Sequence, residues 1–180
     1  MHLVIDIGNT SAKIAVFSQG EMINVVRSSN QSLERLDELC QQYPIKKGIW
    51  ASVISISKDI QQQLQQLPFP MTEFTYQTPI PIRNLYKTPQ TLGVDRLAAV
   101  IAAYTLKPHH PALVIDAGTC ITYDFIDEFG QYQGGNISPG MEMRFKALHE
   151  FTSKLPKIQA SGETPPYGNS TETAIRSGVI

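Results

Sequence analysis

The sequence Val-Ile-Asp-x-Gly occurs twice, as Val4-Ile5-Asp6-Ile7-Gly8 and as Val114-Ile115-Asp116-Ala117-Gly118. Each copy is an apolar run that ends in a carboxylate and a glycine. Segments containing hydroxyl residues follow (Asn9-Thr10-Ser11 and Thr119-Cys120-Ile121-Thr122), then a second run of strand formers. The pattern predicts a buried strand, a tight turn and an antiparallel return strand, with glycine letting the backbone approach a ligand closely. A carboxylate at the mouth of a strand, beside such a turn, is placed to hold a cation or a cation-bound phosphate. Two copies facing each other make a phosphate clamp.

The repeat also measures the chain. Asp6 and Asp116 stand 110 residues apart, and 64 residues follow Asp116. The reading is therefore a duplicated α/β fold with mixed sheets flanked by helices, one half over residues 1–111 and a second over 112–180 that is short of several elements. Strands are expected at His2–Ile7, Lys13–Phe17, Glu21–Arg27, Gly48–Val53 and Thr72–Tyr76, and again at Ala112–Ala117, Ile121–Ile126 and Tyr132–Ile137. Helices are expected at Ser32–Gln42, through Ile60, Leu64 and Leu67, at Val94–Tyr104, at Met141–Glu150 and from Asn169 onward. Val94–Tyr104 is apolar nearly all round and reads as deeply buried. Gln77 to Thr91, with Pro79, Pro81 and Pro89, reads as an irregular loop. Ala174, Ile175, Val179 and Ile180 give the last helix an apolar side with no partner left in the chain. That side is expected at a subunit interface or against residues beyond Ile180.

Composition narrows the function classes. A formal net charge of −1 without a basic run argues against nucleic-acid binding. Cys40 and Cys120 are too few for a disulfide framework or a zinc site. No basic, apolar leader opens the chain, and Leu97–Tyr104, the longest apolar stretch, is too short to span a membrane. The expectation is a cytoplasmic globular protein with no membrane partner.

Two constellations carry chemistry. Asp6 to Lys13 holds an acid, a glycine, an amide, hydroxyls and a lysine in one hairpin. These groups suit a triphosphate: a carboxylate for Mg²⁺, backbone N–H groups for phosphate oxygens and an ammonium for charge. Neither a P-loop nor a dinucleotide-binding glycine pattern is present. The second constellation is Tyr86 through Arg96, where Asp95 and Arg96 open a helix after Gly93. An acid suits that helix end and an arginine does not, a mismatch expected at binding sites. A carboxylate base beside a guanidinium that grips an anionic substrate is a phosphotransfer pair. Asp116 closes a strand read as buried, so its carboxylate calls for a cationic partner. His109-His110-Pro111 reads as a solvated loop, and Asp124, Asp127 and Glu128 as a solvent-facing turn.

Four motifs in order resemble the type III pantothenate kinases: Asp6-Ile7-Gly8-Asn9-Thr10 with Lys13, Gly93-Val94-Asp95-Arg96, Asp116-Ala117-Gly118-Thr119 and Gly134-Gly135-Asn136-Ile137-Ser138-Pro139-Gly140. The resemblance runs from Met1 to the end of the chain. It implies duplicated ribonuclease H-like halves of the acetate and sugar kinase/Hsc70/actin superfamily (the actin-like ATPase fold). It also implies phosphorylation of pantothenate at the 4′-hydroxyl with Mg²⁺-ATP, assisted by a monovalent cation, K⁺ or NH₄⁺, in a homodimer. By resemblance Asp95 is the general base. Tyr86, Gly93, Val94, Asp95, Arg96 and Thr171 bind pantothenate. Asp6, Ile7, Gly8, Asn9, Thr10, Ser11, Ala12, Lys13 and Thr119 bind ATP, Asp6 through its magnesium, and Asp116 binds the monovalent cation. Two other functions fit the same fold, a transcription accessory protein and a phosphotransferase acting on another small alcohol. Family members continue for several elements past the position of Ile180.

Overall fold

Strand alternation explains how the first sheet is made and which way Asp6 points. A computed structural model describes all residues from Met1 to Ile180. Strands β1 (His2–Ile7), β2 (Ala12–Ser18) and β3 (Glu21–Ser28) form an antiparallel meander. β4 (Lys47–Ser52) adds parallel to β1 and β5 (Met71–Glu73) parallel to β4, giving the order β3-β2-β1-β4-β5. A parallel addition needs a crossover. Helices α1 (Leu36–Gln42) and α2 (Lys58–Gln65) supply it. Both cover the face that carries Leu3, Ile5, Ile7, Ile14 and Val16, and they bury Leu36, Leu39, Ile60 and Leu64 against it. Because successive side chains alternate, burying Ile5 and Ile7 turns Asp6 to the opposite face.

The second sheet has the order β6-β9-β8-β7, from β6 (Arg83–Asn84), β7 (Ala112–Ala117), β8 (Cys120–Ile126) and β9 (Gln131–Pro139). Helix α3 (Val94–Leu106) lies on one face, with Leu97 and Val100 packed against Ile126, Tyr132, Ile82 and Leu92. The same helix also touches β4 of the first sheet. Residues before Ala112 thus contribute a strand and a helix to the second core. Helices α4 (Met141–Glu150) and α5 (Thr171–Val179) close a third, smaller core of Phe145, Ile175 and Val179. No helix is long and apolar enough to cross a membrane.

Several elements differ from expectation, each for an identifiable reason. α1 begins at Leu36 and not at Ser32. Upstream, Leu33 takes a positive φ of 45° and is fully buried. The Glu34 carboxylate accepts hydrogen bonds from the Ser29 backbone N–H (3.0 and 3.1 Å) and the Ser32 hydroxyl (2.8 Å), holding a turn in place of a helical start. Donors from the Glu34 and Ser29 backbone and from Ser32 lower the Glu34 pKa to about 2. The proline-rich loop contains the short strand β6, paired parallel to β9, and one 3-10 turn at Pro89–Thr91. α3 is not buried all round. Ala98, Ala102 and Leu106 are exposed, because the helix packs through one side only.

β7 is an edge strand, and Asp116 at its end is exposed, so the carboxylate needs no buried counter-charge. The face of this sheet away from α3 is open: Leu113 and Ile115 on β7 and Phe125 on β8 are 61%, 57% and 42% exposed. The last helix does find a partner within the chain, since Ile175 and Val179 pack on Phe145 of α4.

Candidate active site

The repeated turns converge. Asp6, Lys13 and Arg27 occupy one transverse row across β1, β2 and β3. Asp116, Thr122 and Ile137 form the matching row across β7, β8 and β9. Both rows face one cavity of about 620 Å³ between the sheets. Each turn is closed by its own backbone, Gly8 N–H to Ser11 C=O at 3.0 Å and Gly118 N–H to Cys120 C=O at 2.9 Å. The two turns touch through the hydroxyls of Thr10 and Thr119, 3.1 Å apart. Asn30 braces the first turn by donating to the carbonyls of Gly8 and Asn9 at 2.9 and 3.0 Å. Gly140 braces the second with its N–H on the Thr119 carbonyl at 3.0 Å, in a space where a side chain would strike the Gly118 and Thr119 carbonyls.

The first turn of α3 forms the cavity wall between them. The Asp95 Oδ1 accepts the backbone N–H of Arg96 at 2.8 Å, and a Cβ on Gly93 would lie 2.5 Å from that oxygen. Glycine at 93 therefore leaves the carboxylate its position. Arg96 turns inward and meets Asp124 on β8. Its Nε donates to both carboxylate oxygens (3.2 and 3.1 Å) and its Nη2 to Oδ1 (2.6 Å). The Tyr132 hydroxyl donates to the same Oδ1 at 2.6 Å and accepts from Arg96 Nη2 at 3.3 Å. Tyr86 stacks on Tyr132, with ring centroids 6.1 Å apart, and lies 5.7 Å from the Arg96 guanidinium carbon. Gly135 permits this packing, because a Cβ there would come within 2.6 Å of the Asp124 carboxylate. Bonding to Asp124 raises the Arg96 pKa, and burial, reinforced by Asp124, raises that of Tyr132. The arginine at a helix N-terminus is thus answered by a buried carboxylate, and only its Nη1 takes no part in the network.

Asp6 titrates above the ordinary carboxylate range. Burial is the main cause, with Asp95 and Asp116 adding repulsion and Lys13, at 3.9 Å, opposing it. Three carboxylates thus line one cavity and only Asp6 is paired with a cationic side chain, a setting suited to a cation. No three acidic, histidine or cysteine groups stand close enough to form a metal cage by themselves. Mg²⁺ does not require one, since it usually takes one or two carboxylates and fills its shell with phosphate oxygens and water.

Of the residues expected at the site, Asp6, Gly8–Ser11, Lys13, Tyr86, Gly93, Asp95, Arg96, Asp116 and Thr119 line the cavity. Ile7 and Ala12 are fully buried in the first core, and Val94 and Thr171 do not reach the lining. Thr171 stands exposed at the start of α5, behind the Ser170 cap. Asp124 is the main correction, being 1% exposed and bonded to Arg96 and not part of a solvent-facing turn. The signal was present: on β8 Asp124 alternates in phase with the core residue Ile126.

The fold is that of the sugar-kinase and actin-like ATPase class. The structure matches, with a TM-score of 0.52 at 12% identity over 84% of this chain and 58% of the other, a putative 2-dehydro-3-deoxygalactonokinase from Sinorhizobium meliloti. A second match, to a conserved putative Baf family transcriptional activator from Campylobacter jejuni, has a TM-score of 0.58 at 21% identity over 98% of this chain and 73% of the other. The family model for type III pantothenate kinase matches residues 2–180. Two curated proteins named type III pantothenate kinase are similar throughout. One, from Phocaeicola vulgatus, is 64% identical over 100% of this chain and 74% of its own length. The other, from Bacteroides fragilis, is 54% identical over 99% of this chain and 74% of its own length. The chain belongs to the type III pantothenate kinase family.

The buried pair makes a direct prediction. Asp124→Ala strands a buried guanidinium and should lower unfolding free energy by about 3–5 kcal/mol in urea titrations. Replacing both partners, Arg96→Met with Asp124→Leu, should recover most of that loss. A single variant as stable as the parent contradicts the assignment.

Proposed function

We propose that this chain transfers the γ-phosphoryl group of ATP to the 4′-hydroxyl of pantothenate, the first step of coenzyme A biosynthesis. Family membership supports the reaction. The observation that carries it to these residues is the meeting of two phosphate-type turns, through Thr10 and Thr119, over a cavity that Asp95 faces. Backbone N–H groups of the first turn, Lys13 and the Thr119 hydroxyl suit the phosphate chain. Asp6 suits a magnesium ion on that chain, which when bound neutralises the phosphate charge.

Asp95 serves as general base. Its Oδ1 is held by the Arg96 N–H, leaving the other oxygen for the substrate hydroxyl. As that hydroxyl oxygen attacks phosphorus in line, Asp95 accepts its proton and ADP leaves from the opposite side. Tyr86, stacked on Tyr132, forms a flat wall for the substrate. Arg96 Nη1 is the remaining donor for an anionic group. Thr171, expected to bind pantothenate, lies outside the cavity of its own chain, which fits a homodimer whose second copy supplies it. Asp116 takes a monovalent cation, K⁺ or NH₄⁺. It lines the cavity and forms no ion pair with a lysine or arginine. Two unpaired cysteines fit a cytoplasmic enzyme.

A coupled ADP-release assay should respond to pantothenate and not to acetate or simple sugars. Asp95→Asn should lower kcat by roughly 10²-fold or more with little change in the KM for pantothenate. Turnover near the parent level removes Asp95 from this role. Exchanging K⁺ for Na⁺ should depress activity, and Asp116→Asn should abolish the difference between the two salts. Equal rates in both salts with the parent protein contradict the cation assignment.

A further inference from the structure

Arg27 is the cavity-lining cation that nothing else accounts for. Three cationic side chains line the cavity, Lys13, Arg27 and Arg96. Lys13 stands 3.9 Å from Asp6, and Arg96 is bound by Asp124. Arg27 has no carboxylate partner. It also stands directly opposite Lys13 across the β2–β3 ladder. Like charges facing each other across a ladder destabilise a sheet. A local rule broken at the rim of a cavity is expected where a ligand supplies the missing charge.

The position within the cavity selects the ligand. Arg27 is on β3, and three residues later Asn30 grips the Gly8 and Asn9 carbonyls of the first turn. Arg27 shares a row with Asp6 and Lys13 on the sheet that carries the phosphate-type turn, whereas Gly93–Arg96 open α3. A planar, permanently charged fork suits phosphate oxygens better than any other group in this cavity. We propose that Arg27 contacts the terminal phosphate of the bound nucleoside triphosphate, alongside Lys13. This rests on the reading of the cavity as the ATP site.

The test compares two nucleotides that differ at that phosphate. Isothermal titration with Mg²⁺ and a non-hydrolysable ATP analogue should show Arg27→Ala weakening binding by about 10- to 100-fold, the worth of a charge-assisted contact. Binding of Mg²⁺-ADP should change by less than about threefold, and Arg27→Lys should fall between Ala and the parent for the ATP analogue. Arg27 is exposed, so the variants should fold, which circular dichroism checks. Unchanged affinity for the ATP analogue in Arg27→Ala overturns the assignment while leaving the ATP site intact. Equal losses for ADP and the ATP analogue overturn the terminal-phosphate contact, as does an effect confined to pantothenate. A parent protein that binds neither nucleotide overturns the reading of the cavity itself, and this inference with it.

Discussion

The buried pair of Arg96 and Asp124 sets the geometry on which the candidate site depends. Side chains next to each other on an α-helix point about 100° apart. Anchoring Arg96 to β8 therefore fixes the rotation of α3 about its axis and directs Asp95 toward the cavity. Tyr132 and Gly135 complete the anchor, one by donating to the carboxylate and the other by leaving room for it. A buried ion pair is costly to desolvate, and replacing it with apolar residues is often neutral or stabilising. The pair fits a positioning role: it holds the Asp95 end of α3 at one orientation against the second sheet.

The second constraint is alternation. In each half a strand ending in Asp and Gly buries its neighbours on one face and turns the acid to the other. The two acids meet over one cavity because the hairpin turns that follow them touch. Charge balance follows from this geometry. Asp6, Asp95 and Asp116 share a space in which only Lys13 pairs with one of them. Repulsion among these carboxylates is an electrostatic stress that a bound cation offsets. The pKa of Asp6 is raised first by burial, with repulsion from Asp95 and Asp116 adding to it and Lys13 opposing it. The sign of this shift is unfavourable to folding, since ionisation above its usual range costs the folded state more than the unfolded one. A carboxylate kept under that penalty points to use in binding.

Much of this was legible in the residues. Val-Ile-Asp-x-Gly located both hairpins and their turn residues, and the apolar run after Gly93 located α3 to within two residues of its end. Three of the differences share one cause, the dependence of burial on distant partners. Asp124 sits among acids near a hairpin end and looks solvated, but its counter-ion lies 28 residues upstream. Asp116 looks buried because its strand is apolar on both sides, yet it stands at the end of an edge strand and lines the cavity. Ile175 and Val179 appeared to lack a partner because the contact with Phe145 is made across a long proline-containing loop. The early start assigned to α1 failed for a local reason, the Glu34 carboxylate gripping the Ser29 backbone.

The central claim is that the two turns act as one clamp on a single triphosphate. Hydrogen exchange of the chain with and without Mg²⁺ and a non-hydrolysable ATP analogue tests this at the residues concerned. The account predicts that backbone amides of Gly8–Ser11 and of Gly118–Cys120 slow together, while those of α2, on the far face of the first sheet, are unaffected. Protection of one turn alone, or of neither, contradicts it.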